Sequence, residues 1–283
     1  MAASGEMASD SVQAIWRYPV KSMMGEEIVT GEITSRGVAG DRAYALVDQA
    51  SNRAAVVRTW GARLLNYQAQ FITEPIPDRP APVVRITCPD GATLVSSEPV
   101  LEARLSADFG RTLSLMSQAS AGLLVEFPAG SLSGKVAELT ELPLASAAPA
   151  GTFFDYGCLH LIATSTLDQL QRLYPQGRFD VRRFRPNCVI RTGSAPFIEN
   201  AWAGRTIALG EQVVIRATLP TPRCVLTTLP QGDLPRDPGI LRTIAQHNLQ
   251  DLGEWGRNAC LGVWADVVKP GVVRRGDTMH LLE

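Results

Sequence analysis

The stretch PTPRCVLTT, residues 220–228, places one cysteine after a proline-rigid approach and ahead of two threonines. Buried cysteines usually behave as small apolar side chains, so packing is one interpretation of Cys224. The adjacent Arg223 favours the thiolate over the thiol, and a thiolate is both a nucleophile and a soft metal ligand. The residue types alone therefore leave three roles open for Cys224: a packed thiol, a nucleophile or a metal ligand.

Two stretches near the N-terminus carry basic residues in positions compatible with an anion. YPVKS, residues 18–22, closes a predicted strand with Lys21 and Ser22, although a lysine at a strand end is usually solvated. RGVAGDRAY, residues 36–44, places Arg42 after glycines that permit unusual backbone angles. Both stretches are candidates for holding a bound anion.

A third basic stretch, RRFRPNCVI at residues 182–190, puts three arginines ahead of an apolar strand, with Arg185 and Asn187 flanking a proline. An arginine that points inward needs an anionic partner, because a buried unpaired charge is very costly. One interpretation is a structural ion pair with Asp180 or Glu199. The other is that Arg185 faces a bound anion.

A thiolate beside anion-binding arginines fits a thiophilic transition metal whose other ligands belong to a phosphorylated organic cofactor. The five cysteines form no CxxC pair, which argues against a zinc knuckle or a ferredoxin-type cluster. The histidines His160, His247 and His280 are too scattered to suggest a metal site. None is a convincing dyad partner for Cys224, although folding could bring His160 or His247 to it.

The composition of the 283 residues is that of a globular protein, with 45% hydrophobic and 19% charged residues and a net charge of −1. No basic block stands out, so neither nucleic acid nor an anionic membrane surface is an expected partner. No apolar run approaches the roughly 20 residues of a spanning helix, and no signal peptide is visible. We expect a cytoplasmic protein with reduced thiols, long enough for one large domain or two medium ones.

Short segments rich in β-branched and aromatic residues fill the first 130 residues, separated by Gly, Pro, Asp and Asn. Strands at this spacing predict a barrel or sandwich, and strands resume after residue 187. The expected fold class is therefore mainly β with a few short helices (α+β). The Pro-rich segment 143–151 is expected to connect the two halves.

Three segments have the apolar periodicity of helices. We expect Ser165 or Thr166 to cap the second, and Asp237 to cap the third, with Pro238 in its first turn. The segments and their core-facing residues are 98–110 with Leu101, Leu105 and Phe109, 165–175 with Leu167, Leu170 and Leu173, and 237–247.

The motifs YPVKS, GDR before an aromatic residue, FRPN before a strand, and RC-x-x-TT, closing with GVWADVVKPGVVRRGD, together resemble the MOSC family. The name refers to the C-terminal domain of molybdenum cofactor sulfurases. Their order is similar to that of the two-part members, such as the mitochondrial amidoxime-reducing component and its bacterial relatives. The resemblance covers residues 11–283 and implies an N-terminal β-barrel-like domain over 11–130 and a MOSC β-barrel domain over 131–283.

The resemblance also implies a cofactor, the molybdenum cofactor in its unextended molybdopterin form. Cys224 matches the family cysteine whose thiolate coordinates molybdenum. A helix N-terminus is in addition a natural anion site, and Thr164 and Ser165 begin the second predicted helix. The residues matching those that hold the phosphate and pterin are Lys21, Ser22, Arg42, Thr164, Ser165, Arg185 and Asn187.

The implied activity is reduction of N-hydroxylated or N-oxide small molecules, with electrons from a separate ferredoxin or flavoprotein. Arg223 would tune the charge at the metal, and Asp233 or His247 would be the candidate proton donors. The loop 229–238 is longer than in typical members, so Asp233 is a displaced stand-in for the family aspartate. The segment 54–65 is more apolar than usual, which predicts a more apolar pocket mouth.

Two other functions remain open at this point. Cys224 could carry sulfur as a persulfide, as proposed for MOSC domains attached to sulfurases, because a thiolate beside arginine suits that role as well. The domain could also lack the metal and bind another phosphorylated ligand, or serve as an accessory protein in a biosynthetic pathway.

Overall fold

The computed structural model describes residues 10–119, 122–128, 139–144, 149 and 152–282. These residues form twenty β-strands and four α-helices, which confirms the prediction of a mainly β chain with a few short helices. The strands of the first half are β1 (Ser11–Arg17), β2 (Glu26–Ile28), β3 (Thr30–Thr34), β4 (Gly37–Val38), β5 (Ala45–Asp48), β6 (Arg53–Ala54), β7 (Gln68–Phe71), β8 (Val84–Thr87), β9 (Thr93–Val95), β10 (Leu113–Met116), β11 (Leu124–Pro128) and β12 (Leu139–Pro143).

The second half repeats this strand-rich pattern with fewer and longer strands. Its strands are β13 (Leu159–Ala163), β14 (Cys188–Arg191), β15 (Thr206–Leu209), β16 (Val213–Pro222), β17 (Leu249–Asp251), β18 (Arg257–Lys269), β19 (Gly271–Arg274) and β20 (Met279–Leu282). The α-helices are α1 (Val57–Trp60), α2 (Pro99–Phe109), α3 (Thr164–Leu173) and α4 (Pro238–His247). The 3-10 turns are Ala62–Asn66, Val181–Arg183, Ile198–Trp202, Val225–Thr228 and Gly253–Trp255.

The largest sheet is built from both ends of the chain. Its strand order is β2-β1-β14-β13-β18-β16-β15-β20, with β17 paired to β18. The first strand, β1, runs antiparallel to β14, with Ile15 opposite Cys188, while β13 runs parallel to β14. This sheet encloses the larger apolar core, around Trp202 and Ile215. A strand from the first 20 residues therefore completes the sheet that carries FRPN.

The first half has a separate apolar core beneath smaller sheets. Two small sheets, β10-β5-β6-β11-β12 and β7-β8-β9, contribute to this core, whereas a third, β19-β3-β4, contributes Ile33, Val38 and Val273 to the larger core. Leu64, Ile86, Leu101 and Leu105 are fully buried in this core, so the inner face of α2 lies where its periodicity predicts. The third sheet pairs β3 with β19 from the C-terminal end and is a second tie between the halves. The predicted domain boundary at 130/131 lies outside the described residues, as does most of the predicted connection 143–151.

The three predicted helices are confirmed as α2, α3 and α4, but the predicted N-cap of α3 is wrong. Asp237 caps α4 by accepting a hydrogen bond from the Gly239 amide at 2.9 Å, as predicted. The N-cap of α3 is Ala163, which makes no side-chain cap, so the predicted cap at Ser165 or Thr166 is wrong. Along the described residues, no helix is long and apolar enough to cross a membrane.

The predicted inner face of α3 is only partly correct. Leu170 is fully buried and Leu167 packs partly buried against the same cluster, whereas Leu173 is 38% exposed at the end of the helix. The short helix α1 escapes prediction because four residues are too few for helical periodicity to show.

Candidate functional site

Backbone hydrogen bonds bring YPVKS and GDRAY together directly after β1. The amide of Lys21 donates to the Tyr44 carbonyl at 2.8 Å, and the amide of Arg42 donates to the Tyr18 carbonyl at 2.8 Å. The amide of Tyr44 returns a bond of 2.9 Å to the Pro19 carbonyl. The two motifs therefore form one backbone unit, although 20 residues separate their basic side chains in the sequence.

Asn187 joins FRPN to this unit. Its side-chain amide donates to Asp41 Oδ2 at 2.8 Å and to the Trp16 carbonyl at 3.3 Å, while its oxygen accepts from the His160 amide at 3.1 Å. Asp41 in turn accepts from the Tyr18 amide at 2.7 Å. Because both ends of the Asn187 amide are engaged inside the protein, its place in the structure is to hold three chain segments in register.

Two guanidinium groups contact the ring of the buried Tyr18. The Cζ atom of Arg185 lies 4.2 Å from the ring centroid, and that of Arg42 lies 4.5 Å from it. Arg185 is 8% exposed and donates to the Met23 carbonyl at 2.5 Å, and Arg42 contacts Asp41. Cation–π contact with the Tyr18 ring stabilises both arginine side chains but does not neutralise their charge.

The alternative of a structural ion pair for Arg185 is wrong. Asp180 binds Arg182 instead, at 2.7 Å, and Glu199 accepts from the Thr166 hydroxyl at 2.6 Å. Within the described part of the chain, no ion pair joins Arg185 to a carboxylate. A buried guanidinium without a carboxylate is the situation in which a bound anion becomes favourable.

Lys21, Arg42, Arg185 and Arg223, here called the cation cluster, carry more charge than their acidic neighbours balance. Lys21 Nζ donates to the Phe153 carbonyl at 2.8 Å and pairs with Asp155, which is 51% exposed. Asp41 is the second carboxylate, and Asp155 also faces Arg58, so at least two positive charges are in excess. The fold therefore concentrates positive charge around the Tyr18 ring.

Burial lowers the pKa values of three members of the cation cluster, which shows that holding their charged forms inside the protein costs free energy. Burial lowers the pKa of Arg185 to about 10, and the neighbouring Arg42 lowers it further in the same direction. Burial also lowers the pKa of Arg223 to about 10. Burial lowers the pKa of Lys21 as well, while the Asp155 carboxylate opposes that shift. An anion bound here would reverse these shifts by favouring the charged forms.

Backbone strain gathers at the same residues. Ser22, Arg42 and Arg185 have φ angles of 67°, 47° and 55°, in the left-handed region that residues with a Cβ rarely adopt. They are three of the six non-glycine residues with positive φ among those described. Strained conformations of this kind cluster at functional sites, where the surrounding structure holds a side chain in a required direction.

Two polar atoms of the cluster region are buried and make no hydrogen bond with any described residue: the Tyr18 hydroxyl and Nε of Arg223. Tyr18 is 2% exposed, and its burial raises the pKa of the phenol. The hydroxyl therefore keeps its proton and can donate a hydrogen bond. Buried donors without partners are rare in proteins and indicate a group that a ligand satisfies.

Cys224 lies directly beside the cation cluster. Strand β16 ends at Pro222, the amide of Arg223 donates to the Ala259 carbonyl at 2.7 Å, and its guanidinium donates to the Phe184 carbonyl at 2.7 Å. Phe184 immediately precedes Arg185. Arg223 therefore links residues 223–235, here called the cysteine loop, to FRPN. Cys224 itself is partly exposed at the start of the turn Val225–Thr228. An accessible thiol therefore directly follows the Arg223 of the cation cluster along the chain.

Arg183 holds the cysteine loop in place, a role that sequence reasoning missed. It is fully buried, and its guanidinium donates to the carbonyls of Thr227, Leu229 and Pro235 at 3.2, 3.3 and 2.8 Å. A fourth bond, of 2.9 Å, reaches the Arg178 carbonyl. Nothing in RRFR distinguishes Arg183 from its neighbours, because the direction of each side chain depends on the 3-10 turn Val181–Arg183.

The two candidate proton donors lie on the surface. Asp233 is exposed and pairs with Arg178 at 2.6 Å and Arg182 at 2.7 Å, and these arginines lower the pKa of its carboxyl. His247 lies exposed at the end of α4. The observed contacts therefore tie Asp233 to the outer side of the cysteine loop rather than to the cation cluster.

His160 lies under the cluster as a neutral group. Its ring nitrogens lie 3.5 Å from the Arg185 carbonyl and 3.2 Å from the Leu261 carbonyl. Burial, together with the positive charge of Arg223, lowers the pKa of His160 to about 3. It therefore adds no charge to the cluster at neutral pH.

Thr164 and Ser165 lie at the opposite end of the parallel strands β13 and β14. Four residues of extended chain, about 13 Å, separate Thr164 from His160. The Thr164 hydroxyl accepts from the Thr192 amide at 3.3 Å, and that of Ser165 donates to the Ala195 carbonyl at 3.4 Å. The structure does not bring these two residues to the cation cluster.

The segment 54–65 does lie beside the site. The Ser22 hydroxyl donates to the Ala55 carbonyl at 3.3 Å, and α1 packs against the turn Val225–Thr228. Val57 is buried in the same apolar cluster that Leu226 packs against. Among the residues that the structure describes, no group of three or more His, Cys, Asp or Glu side chains is arranged to hold a metal ion.

Solved structures that are similar to this chain share little sequence identity with it. A sequence search of curated proteins gave no match. The YuaD protein of Bacillus subtilis is similar over 98% of this chain and 99% of that chain, with 11% identity and a TM-score of 0.47. YiiM of Geobacillus stearothermophilus is similar over 56% of this chain and 72% of that chain, with 17% identity and a TM-score of 0.32.

The family models match most of the chain. The model of the MOSC N-terminal beta barrel domain matches residues 9–98, and that of the MOSC domain matches residues 152–280. The two matches stand in the order that the four motifs predict. The chain therefore belongs to the MOSC-domain proteins, as a two-part member with an N-terminal beta barrel domain ahead of its MOSC domain.

Proposed function

We propose that this protein is a molybdenum-cofactor-dependent oxidoreductase that reduces N-hydroxylated or N-oxide small molecules, with electrons from a separate ferredoxin or flavoprotein. The observation that carries the proposal is the excess of two buried positive charges beside a partly exposed cysteine. Membership of the MOSC family supports the choice of cofactor. The reaction class and the electron donor rest on the resemblance to the two-part members.

The residues present fit unextended molybdopterin. Its terminal phosphate carries up to two negative charges, which matches the excess charge of the cation cluster. Lys21, Arg42 and Arg185 would hold that phosphate, since arginine and lysine are the usual phosphate partners. The unpartnered hydroxyl of Tyr18 and Nε of Arg223 would supply further donors. Cys224 would be the soft protein ligand of the metal.

When bound, the molybdenum centre would supply two-electron redox chemistry, and the protein would position and tune it. Arg223, which directly precedes Cys224, would tune the charge at the metal. His160 is neutral beneath the cation cluster, so it adds no positive charge to that of the lysine and the three arginines. The tie from Arg183 to the cysteine loop fixes where the thiolate is presented.

The proposal is tested by measuring molybdenum and pterin in purified wild type and Cys224→Ala. Both proteins are produced with molybdate in a host that makes the unextended cofactor. We expect near-stoichiometric molybdenum and pterin in wild type. We expect pterin with reduced molybdenum, and no reductase activity, in the variant.

Cys88→Ala is the matched control, because Cys88 is a buried cysteine in the core of the first half. It should leave the molybdenum and pterin contents unchanged. Neither pterin nor molybdenum in wild type from a competent host would overturn the proposal. A persulfide found on Cys224 by mass spectrometry would then favour the sulfur-carrier function instead.

A further inference from the structure

Three aromatic rings form a surface cluster that belongs to no core. The Tyr156 ring lies 5.0 Å from that of Trp255 and 4.5 Å from that of Trp264, and the two indoles are 6.2 Å apart between centroids. Trp255 is 37% exposed and the other two are half-buried. None of the three belongs to the four apolar clusters of the described residues. Large rings grouped at a surface indicate a binding function.

One side of this aromatic cluster is anchored at the cation cluster. Tyr156 directly follows Asp155, whose carboxylate pairs with Lys21 Nζ at 2.5 Å. Trp264 lies opposite His160 in the antiparallel pair β13–β18, so the two side chains share a face of the sheet. The His160 ring lies 3.5 Å from the Arg185 carbonyl, beneath the cluster.

The other side of the aromatic cluster is anchored beside Cys224. Trp255 ends the turn between β17 and β18, and its carbonyl accepts from the Asn258 side chain at 2.8 Å. The next residue, Ala259, accepts the backbone hydrogen bond of Arg223 at 2.7 Å. Cys224 directly follows Arg223, so this hydrogen bond brings its backbone within a few residues of the Trp255 turn.

We propose that Tyr156, Trp255 and Trp264 are the substrate-binding wall of the Cys224 site and select planar, conjugated substrates over aliphatic ones of equal size. This inference rests on the proposed reductase function. An indole with an exposed face stacks on a flat π system. This stacking adds binding free energy beyond that of the buried apolar area, whereas a puckered aliphatic ring contributes through the buried area alone. The wall acts on the part of the substrate remote from the reacting N–O bond.

The test uses two N-hydroxylated amidines that differ only in carrying a phenyl or a cyclohexyl ring. Wild-type holoenzyme should prefer the phenyl compound in kcat/KM. Trp255→Leu should lose about tenfold for the phenyl compound and less than about twofold for the cyclohexyl compound, mainly through KM. Trp255→Phe, which keeps a π face, should restore most of the preference.

Leu249→Ala is the matched control, because Leu249 lies on the adjoining strand and is also 37% exposed. It should leave both substrates unchanged. Equal losses for both substrates in Trp255→Leu, or no wild-type preference, would overturn the proposal. A rise confined to the KM of the electron donor would also overturn it and would assign the rings to partner docking.

Binding of the same two compounds, measured by calorimetric titration of the purified full chain, separates this proposal from the proposed function. If no reduction occurs but the phenyl compound binds about tenfold more tightly, with the difference lost in Trp255→Leu, the reductase proposal fails and the wall stands. If reduction occurs without ring selectivity, the reductase proposal stands and the wall fails.

Discussion

Arg185 is the residue at which burial, charge and strain coincide. It is 8% exposed, has a φ angle of 55°, and lies close to Arg42 without an observed carboxylate partner. Each of these features raises the free energy of the folded protein. Their coincidence is understandable when the side chain is held ready for a bound anion, which would offset the cost.

We therefore expect Arg185→Met to weaken anion binding while leaving the anion-free protein no less stable. A neutral side chain of similar length removes a desolvated charge and its repulsion from Arg42. Calorimetric titration with inorganic phosphate, a probe of the anion site, should show affinity reduced at least about tenfold, the value of one charge-assisted hydrogen bond. Thermal unfolding without phosphate should show an equal or higher Tm.

The matched control is Arg36→Met, which removes an exposed arginine from the turn between β3 and β4. It should leave the phosphate affinity unchanged. Equal effects of the two substitutions would mean that phosphate responds only to net charge. A large loss of stability in Arg185→Met would mean that the guanidinium is structural.

The chemical types at the site could be predicted from the sequence, but their individual roles could not. Lys21, Arg42 and Cys224 lie in motifs whose composition already indicates an anion and a soft ligand. Asn187 stands in the same motif as Arg185, yet the structure engages its amide internally. Side-chain direction here depends on hydrogen bonds between segments more than 100 residues apart, which no local pattern encodes.

At the level of elements, the cysteine loop has little regular structure of its own. One buried side chain, Arg183, satisfies carbonyls at Thr227, Leu229 and Pro235 and so ties both ends of the loop to the turn Val181–Arg183. Outside this tie, the exposed Asp233 adds ion pairs that solvent weakens. The position of Cys224 therefore depends on Arg183 together with the two hydrogen bonds of Arg223.

Arg183→Lys should destabilise the protein and loosen this loop. Lysine has three donors and no planar fork, so at least one of the four carbonyls loses its partner, at about 1–3 kcal/mol for each buried group left unpaired. Urea unfolding should measure the loss. Alkylation of Cys224 by iodoacetamide in the native protein should become faster.

Arg172→Lys, on the exposed side of α3, provides the comparison. Its stability should change by less than about 0.5 kcal/mol, as is usual for surface substitutions. If Arg183→Lys had unchanged stability and an unchanged alkylation rate, the loop would be held by other contacts.

The three longer helices could be predicted from the sequence and the strand partners could not, for a physical reason. The start of α4 follows from Asp237 and Pro238, which act on neighbouring backbone groups. The pairing of β1 with β14 joins residues that are 173 to 180 positions apart, and neither strand specifies the other. Thr166 illustrates the limit: it has the chemistry of a cap, but its hydroxyl is engaged by Glu199 in the interior.

At the scale of the whole molecule, the buried Glu199 makes stability depend on pH. Burial raises the pKa of its carboxyl to about 7, from an ordinary value of 4.5. Between these values the unfolded chain releases the proton while the folded chain retains it. The free energy of unfolding therefore falls as pH rises from 4.5 to 7, by up to about 3 kcal/mol from this group, and no further above 7.

Glu199→Gln should remove this dependence, because glutamine can still accept from Thr166 but does not titrate. The variant should match wild type near pH 4.5 and become progressively more stable than it up to pH 7. Urea unfolding at several pH values measures the difference. In Glu32→Gln, at an exposed position in β3, the free energy of unfolding should depend on pH as it does in wild type. The same result for Glu199→Gln would contradict the assignment of this pH dependence to Glu199.

The two halves matched by separate family models are joined by shared sheets, so we expect them to unfold together. β1 completes the sheet of the second half, β19 pairs with β3 of the first, and Lys21 reaches the Phe153 carbonyl. Unfolding either half would expose the strands and buried charges that the other half covers. Cooperative units of this kind give coincident transitions.

Pulsed hydrogen exchange across a urea titration tests this expectation, with β8 reporting on the first half and β15 on the second. Both should lose protection at the same urea concentration. Ile15→Ala, at a fully buried position in β1, should lower both midpoints equally and destabilise by about 2–5 kcal/mol. A midpoint for β8 well below that for β15 would mean that the first half unfolds alone. Lys21 and Arg42 would then leave the site before the segment around Cys224 unfolds.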